Sequence, residues 1–111
     1  MEFEIDFYKN SSGESPVEKA LDQLKVANII LWRKALKGIE KIKRREYHKE
    51  PLSKYLEPGL WELRVKSGTD ILRIVYTFQK GRIIILLHLF VKKKQKTPAD
   101  ELNIARKRLS K

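Results

Sequence analysis

The chain has 111 residues, 41% of them hydrophobic, which suits one folded domain across residues 1–111 and excludes a disordered chain. Its 25 lysines and arginines outnumber 14 aspartates and glutamates, and the net charge of +11 favours a polyanionic partner such as nucleic acid. There is no cysteine, and the two histidines, His48 and His88, are far apart in sequence. The composition therefore predicts no disulfide, no thiol nucleophile, no metal site and no cofactor.

The N-terminal sequence MEFEIDF predicts a strand, because its large apolar residues alternate with acidic ones. It is also unlike the basic start of a secretory signal. The longest apolar stretch, 83–91, is far shorter than the roughly 20 residues that a membrane helix needs. We therefore expect a cytoplasmic protein with no membrane partner.

A helical hairpin is expected next. Ser15 suits the N-cap of the first helix, Pro16 its first position and Glu18 the third position of a capping box. The second helix is expected from Val26 to Tyr47, with apolar residues on one face and lysines and arginines on the other. Residues 33–54 carry nine basic and three acidic side chains, a local net charge of +6.

The second half of the sequence predicts a loop, three strands and a last helix. The loop is expected over Pro51–Gly59, which contains two prolines. Turns containing glycine separate the strands, which is typical of an antiparallel meander. These strands are expected at Leu60–Lys66, Ile71–Phe78 and Arg82–Lys92. For the last helix we expect Thr97 as cap, Pro98 at the first position and Asp100 completing a capping box. The predicted fold is α+β, in the order β-α-α-β-β-β-α.

Side chains alternate between the two faces of a strand, so the sheet should have one apolar and one basic face. The apolar face is expected to hold Trp61, Leu63, Val65, Leu72, Ile74, Tyr76, Phe78, Ile83, Ile85, Leu87, Leu89 and Val91. The opposite face gathers Arg64, Arg73, His88 and Lys92. Glu62 lies nearby, few other carboxylates are expected there, and Lys94 and Lys96 can reach this face from the end of the last strand.

This cationic cluster suits the cleavage of RNA without a metal ion. The ribose 2′-hydroxyl attacks the adjacent phosphate, and fixed arginines stabilise the charge that grows on the phosphoryl oxygens. His88 is the leading candidate to carry the proton, and a lysine is the alternative. On this hypothesis the catalytic residues are Arg64, Arg73, His88, Lys92 and Lys94. Further RNA contacts are expected from Lys54, Lys93, Lys96, Phe90, Lys41, Arg44 and Arg45.

Each of these residues also has a purely structural interpretation. An arginine on the polar face of a sheet is usually only solvated, and a histidine in a strand is often packed or hydrogen-bonded. The basic helix face can be solvated, or it can be a stripe that binds phosphates. Trp61 and Tyr76 suit the core, whereas Phe90 could stack on a base.

Three segments, GLWELR, LRIVYTF and LLHLFVKKKQKTP, together resemble the HigB-type, phage-related branch of the RelE/ParE toxin superfamily. The resemblance implies a curved antiparallel sheet with a helical hairpin on one face and a C-terminal helix. It also implies the toxin of a type II toxin–antitoxin pair, an mRNA endonuclease that acts on translating ribosomes without a metal. The motif arginines fall on Arg64 and Arg73, and the motif lysines on Lys92, Lys93 and Lys94.

The implied partner is a helix-turn-helix antitoxin of the HigA type, through which the toxin meets operator DNA only indirectly. The proton-carrying residue varies within this branch, so the resemblance assigns no such role to His88. Relatives of the ParE type inhibit DNA gyrase instead, because one fold can carry several functions. We therefore weigh an mRNA endonuclease against a gyrase inhibitor and against a non-catalytic nucleic-acid-binding module.

Overall fold

The computed structural model describes residues 2–93 and 96–110. Within these residues the strands are β1 (Glu4–Phe7), β2 (Ser53–Glu57), β3 (Leu60–Ser67), β4 (Asp70–Gln79) and β5 (Ile83–Lys92). The helices are α1 (Pro16–Ala27), α2 (Ile29–Lys41) and α3 (Ala99–Leu109), with a short 3-10 helix at Arg45–Tyr47. This architecture confirms the predicted α+β class. In the part of the chain that the structure describes, no helix has the length and apolarity needed to cross a bilayer.

The strands form one mixed sheet in the order β1-β5-β4-β3-β2. The predicted antiparallel meander of β3, β4 and β5 is confirmed, whereas β1 pairs with β5 in parallel. The expected loop over Pro51–Gly59 is wrong, because its centre forms the edge strand β2, antiparallel to β3. Pro51 and Pro58 flank that strand and lie outside it, which is where an edge strand tolerates proline.

The apolar face of β5 differs from the predicted one because the strand contains an irregularity. Val75 pairs with His88, but its neighbour Tyr76 pairs with Leu86, so Leu87 is an additional residue in β5. Before Leu87, the β5 side chains therefore point to the faces opposite to those that simple alternation predicts. The prediction is therefore wrong for the first half of β5. Ile84 and Leu86 join the core under the hairpin, while Ile85 and Leu87 face the other side.

The helical hairpin covers one face of the sheet, as predicted. Ser15 caps α1, with its Oγ accepting a hydrogen bond from the Glu18 backbone amide at 3.3 Å. The single helix expected from Val26 to Tyr47 is wrong at both ends. Asn28 ends α1 and caps α2, because its Oδ1 accepts from the Leu31 amide at 3.1 Å. The main core lies under these helices: Val17, Leu21, Leu31, Ala35, Ile39, Ile42, Leu63, Leu72, Ile74, Tyr76, Ile84 and Leu86.

Helix α3 packs on the opposite face of the sheet, against a second and smaller core. This core contains Leu60, Val75, Leu87, Phe90 and Ala105, with Leu102 and Leu109 partly buried beside it. The predicted cap is wrong, because Pro98 occupies the N-cap position and makes no side-chain hydrogen bond there. Thr97 points its hydroxyl at Glu62 instead. The sheet is thus covered on both faces, and α3 lies on the face that carries the basic residues.

Candidate active site

Strand pairing brings four of the predicted catalytic residues to the α3 side of the sheet. Arg64 pairs with Arg73 across β3 and β4, and Arg73 pairs with Phe90 on β5. His88 and Lys92 lie two positions from Phe90 on either side, so they share its face. Lys94 was also predicted to be catalytic, but it lies outside the described residues.

Glu62 lies at the centre of this cluster and is fully buried. Its Oε1 is 2.6 Å from Arg64 Nε and 3.9 Å from Arg73 Nε. Its Oε2 accepts the Thr97 hydroxyl at 2.7 Å. A buried carboxylate is costly unless it is paired and hydrogen-bonded, and here both conditions are met. One carboxylate therefore offsets two arginines and fixes the direction of the Arg64 side chain.

Arg73 is a buried member of the cluster, with none of its side chain exposed. Its guanidinium carbon lies 5.9 Å from the centre of the Phe90 ring. Burial lowers the pKa of Arg73, the Glu62 carboxylate opposes that effect, and Arg64 adds to it. Phe90 is only 6% exposed. The expectation that the Phe90 ring is open to a base is therefore wrong, because Arg73 and α3 cover it.

His88 is held between two side chains of α3. Its Nε2 lies 2.7 Å from Glu101 Oε1, and its Nδ1 lies 3.4 Å from Arg108 Nη1. A carboxylate therefore faces one ring nitrogen of His88 and a guanidinium faces the other, so both nitrogens are engaged by α3. Glu101 also lies 3.7 Å from Lys92 Nζ. The expectation that few carboxylates accompany the cations is therefore wrong, since Glu62 and Glu101 each serve two of them.

A surface cavity of about 430 Å³ opens beside this cluster, and we call it the Arg64 hollow. Its lining includes Lys54 and Tyr55 on β2, Arg64 on β3, and Lys96 and Thr97 before α3. The Arg64 side chain is 16% exposed, so it forms a partly accessible wall. No carboxylate lines the hollow among the residues that the structure describes. This arrangement can hold an anion against a fixed guanidinium.

The remaining predicted RNA contacts do not line the hollow. Lys93 is exposed after β5. Lys41 lies 5.7 Å from the centre of the Tyr47 ring, and the Arg44 guanidinium lies 5.6 Å from it. Arg45 is exposed in the 3-10 helix. Lys41 and Tyr47 line a neighbouring cavity of about 540 Å³ that also includes Arg64.

Three residues of the site did not stand out in the sequence. They are Thr97, whose hydroxyl donates to Glu62, and the two α3 residues Glu101 and Arg108. A signal for two of them was present. Glu101, Ala105 and Arg108 follow one another at spacings of four and three, so they share a face of α3 beside the apolar residues. In the described residues, no group of three or more histidines, aspartates or glutamates gathers in positions to hold a metal ion.

A comparison with protein families identifies the family of this chain. The family model described as phage-derived protein Gp49-like (DUF891) matches residues 20–110. The chain therefore belongs to this family, which is associated with the toxins of toxin–antitoxin pairs and is related to the RelE and HigB type. A comparison with curated proteins found no match.

Proposed function

We propose that this protein is the toxin of a type II toxin–antitoxin pair and that it cleaves mRNA on the ribosome, in the cytoplasm, without a metal ion. The observation that carries the proposal is the Arg64 hollow, where Lys54 and Lys96 surround a guanidinium held by a buried carboxylate. A phosphodiester bound there would meet preorganised positive charge, usually the largest catalytic contribution in such sites. Membership of a family associated with toxins supports the same conclusion.

The proposed reaction starts with the ribose 2′-hydroxyl, which attacks the adjacent phosphorus and loses its proton. The bond to the 5′-oxygen breaks, that oxygen gains a proton, and a 2′,3′-cyclic phosphate remains on the upstream fragment. Arg64 would stabilise the charge on the phosphoryl oxygens, while Lys54, Lys93 and Lys96 would bind neighbouring phosphates.

The buried residues would position the accessible ones. Glu62 fixes the Arg64 guanidinium, and Arg73 shares that carboxylate from beneath. His88 and Lys92 both contact the Glu101 carboxylate, at 2.7 and 3.7 Å, and they remain candidates to carry the proton. Lys54 and Lys96 line the hollow itself, and they are the more accessible candidates for proton transfer.

The test is expression in cells that lack any antitoxin. We expect the wild type to stop growth and fragment mRNA. We expect Arg64→Ala to reduce cleavage by about 10²–10³-fold, the usual cost of losing one transition-state donor. The double variant Lys54→Ala/Lys96→Ala should also lose most of its toxicity. This double variant leaves Glu62, Arg64 and Arg73 in place, so a loss of toxicity could not be attributed to disruption of the buried cluster.

Arg33→Ala is the matched control, because Arg33 is exposed on α2 and does not line the hollow. Thermal melting should show Arg33→Ala and Lys54→Ala/Lys96→Ala close to the wild type, and Arg64→Ala at a lower melting temperature but still folded during growth, because Arg73 remains beside Glu62. Undiminished growth arrest and mRNA fragmentation by both hollow variants would refute the proposal. DNA damage without mRNA fragments would favour a gyrase inhibitor, and nucleic-acid binding without toxicity would favour a plain binding module.

The proposed partner is a helix-turn-helix antitoxin of the HigA type. It should present acidic or apolar segments to this strongly basic chain, since charge complementarity speeds association. Co-expression of such a protein from the adjacent gene should suppress the growth arrest caused by the wild type.

A further inference from the structure

A second basic surface lies between α2 and the end of β3, and we call it the α2 groove. It is a cavity of about 260 Å³ lined by Lys34, Lys37, Gly38, Lys41, Leu52, Val65 and Lys66. The cavity of about 540 Å³ next to it shares Lys41, Leu52 and Lys66, and also includes Arg64. Arg64 in turn lines the hollow described above. The three cavities therefore follow one another from the hollow to α2, each sharing lining residues with the next.

The fold explains why the groove is open. The contact of β2 with β3 ends where the Arg64 amide donates to the Leu52 carbonyl at 2.8 Å, so the last residues of β3, from Val65 on, have no β2 residue paired with them. Helix α2 lies close to that edge because Gly38 has no side chain. A Cβ there would come within 3.1 Å of Val65 Cγ1. Lys34 Nζ donates to the Lys66 carbonyl at 3.0 Å and joins helix to strand at one end of the groove.

The charge of the groove is unbalanced. Lys34, Lys37 and Lys41 follow at spacings of three and four, so they lie on one side of α2 and face Lys66. Among the described residues, none of these lysines has a carboxylate within 4.0 Å. By contrast, Lys43, just after α2, pairs with Glu40, and Lys19 on α1 pairs with Glu14. Closely spaced like charges repel one another, and an anionic occupant would relieve that repulsion.

We propose that the α2 groove binds the phosphate backbone of the RNA strand that continues from the Arg64 hollow. The inference rests on the proposed function, which fills the hollow with RNA. A strand that leaves Arg64 toward α2 meets Lys66 and Lys41 first, then Lys37 and Lys34. Positive grooves that follow a backbone are the usual way to hold single-stranded nucleic acid without reading its sequence. Glu50, in the wider cavity, is the acidic residue on this path among those described.

The test compares the affinities of two 2′-O-methyl oligonucleotides, which bind but cannot be cleaved. One has about 4 nucleotides and the other about 12, a range that spans typical single-strand site sizes. We expect the wild type to bind the longer one more tightly. In Lys37→Gln/Lys66→Gln this advantage should disappear. The slope of log affinity against log salt for the longer strand should fall in magnitude by about 1.4, because two fewer phosphates are neutralised by lysines.

The matched control is Lys80→Gln/Lys107→Gln, which removes the same charge from exposed lysines outside the groove. It should keep the length advantage and the salt slope. Equal losses in both double variants, or an unchanged length advantage in the groove variant, would overturn the inference. An acidic peptide such as polyglutamate that binds through the groove, with RNA affinity unaltered, would also overturn it in favour of a protein partner.

The design separates the two proposals. A wild type that cleaves mRNA through Arg64, yet gains nothing from the longer oligonucleotide, refutes the groove alone. A wild type that binds neither oligonucleotide, together with an Arg64→Ala variant as toxic as the wild type, refutes both.

Discussion

At the scale of single residues, Glu62 sets the electrostatics of the site. Its carboxylate is buried between Arg64 and Arg73 and is completed by the Thr97 hydroxyl. Buried charges of this kind stabilise a fold little, but removal of one partner is severe because the other charge stays buried. Glu62 therefore holds Arg64 in one direction at the wall of the hollow.

Tyr76 gives a prediction about pH. Its hydroxyl donates to Ser53 Oγ at 2.9 Å, and burial raises its pKa from 10.0 to about 12. The folded protein therefore keeps the phenol proton to higher pH than the unfolded chain does. The stability contributed by Tyr76 is fully present below about pH 10 and is lost as the pH rises through about 12.

We expect Tyr76→Phe to unfold more easily than the wild type at about pH 8, by about 1 kcal/mol for the missing hydrogen bond. By about pH 11 this deficit should shrink or reverse. At that pH the Tyr76 phenol ionises in the unfolded wild-type chain but not in the folded one, so the wild type loses stability that Tyr76→Phe does not lose. Urea denaturation of both proteins at the two pH values measures the difference. A deficit that stays constant would contradict the account.

Sequence alternation was sufficient to place the basic residues on one face, because β3 is regular and β5 is regular after Leu87. It could not show which of them are buried. The burial of Arg73 and Phe90 depends on where α3 packs, and that long-range contact leaves no local pattern in the strands. The packing of α3 also brings Glu101 to His88, although the two residues are 13 positions apart in the sequence.

At the scale of secondary-structure elements, polar contacts tie α3 to two strands, and Thr97 before the helix to a third. Glu101 contacts His88 on β5, and Arg108 Nη1 donates to the Leu87 carbonyl at 2.8 Å. Arg106 pairs with Glu57 on β2 through contacts of 2.6 and 3.0 Å, which lowers the pKa of Glu57. Thr97 reaches β3 just before the helix begins. These contacts keep α3 over the buried part of the basic cluster.

The prediction for this element is that Glu101→Ala loosens α3 without disturbing the sheet. A hydrogen bond to a charged group contributes about 1.5–3 kcal/mol. Amide hydrogen exchange in α3 should therefore quicken by about tenfold or more, while exchange in β3 and β4 stays as in the wild type. Lys107→Ala is the control, since Lys107 is exposed on the same helix. Uniform acceleration over the chain, or none in α3, would argue against this tether.

Two elements escaped prediction for physical reasons. Strand β2 is short, lies at the edge and stands between prolines, so its signal resembles that of a loop. The additional residue at Leu87 leaves the apolar run of β5 unbroken, and only the pairing register shows that the alternation reverses. By contrast, the caps and apolar spacings that predicted α1 act within a few residues, and Ser15 occupies the predicted place.

At the scale of the whole molecule, the hairpin and α3 cover opposite faces of the sheet and leave basic surface at the edge formed by β2 and the end of β3. The cavity of about 540 Å³ between them shares Arg64 with the Arg64 hollow and Lys41, Leu52 and Lys66 with the α2 groove. A net charge of +11 makes the chain attractive to any polyanion. On the proposed function, the fixed Arg64 guanidinium would distinguish a catalytic site from general attraction of polyanions.

The most direct test of the central claim is the chemistry of the RNA ends. Purified protein would be added to ribosomes carrying a defined mRNA, and both new ends would be mapped. The account predicts a 2′,3′-cyclic phosphate upstream and a 5′-hydroxyl downstream, and no cleavage when the attacking ribose lacks its 2′-hydroxyl. Ends with a 3′-hydroxyl and a 5′-phosphate, or an mRNA left intact by an active preparation of the toxin, would contradict it.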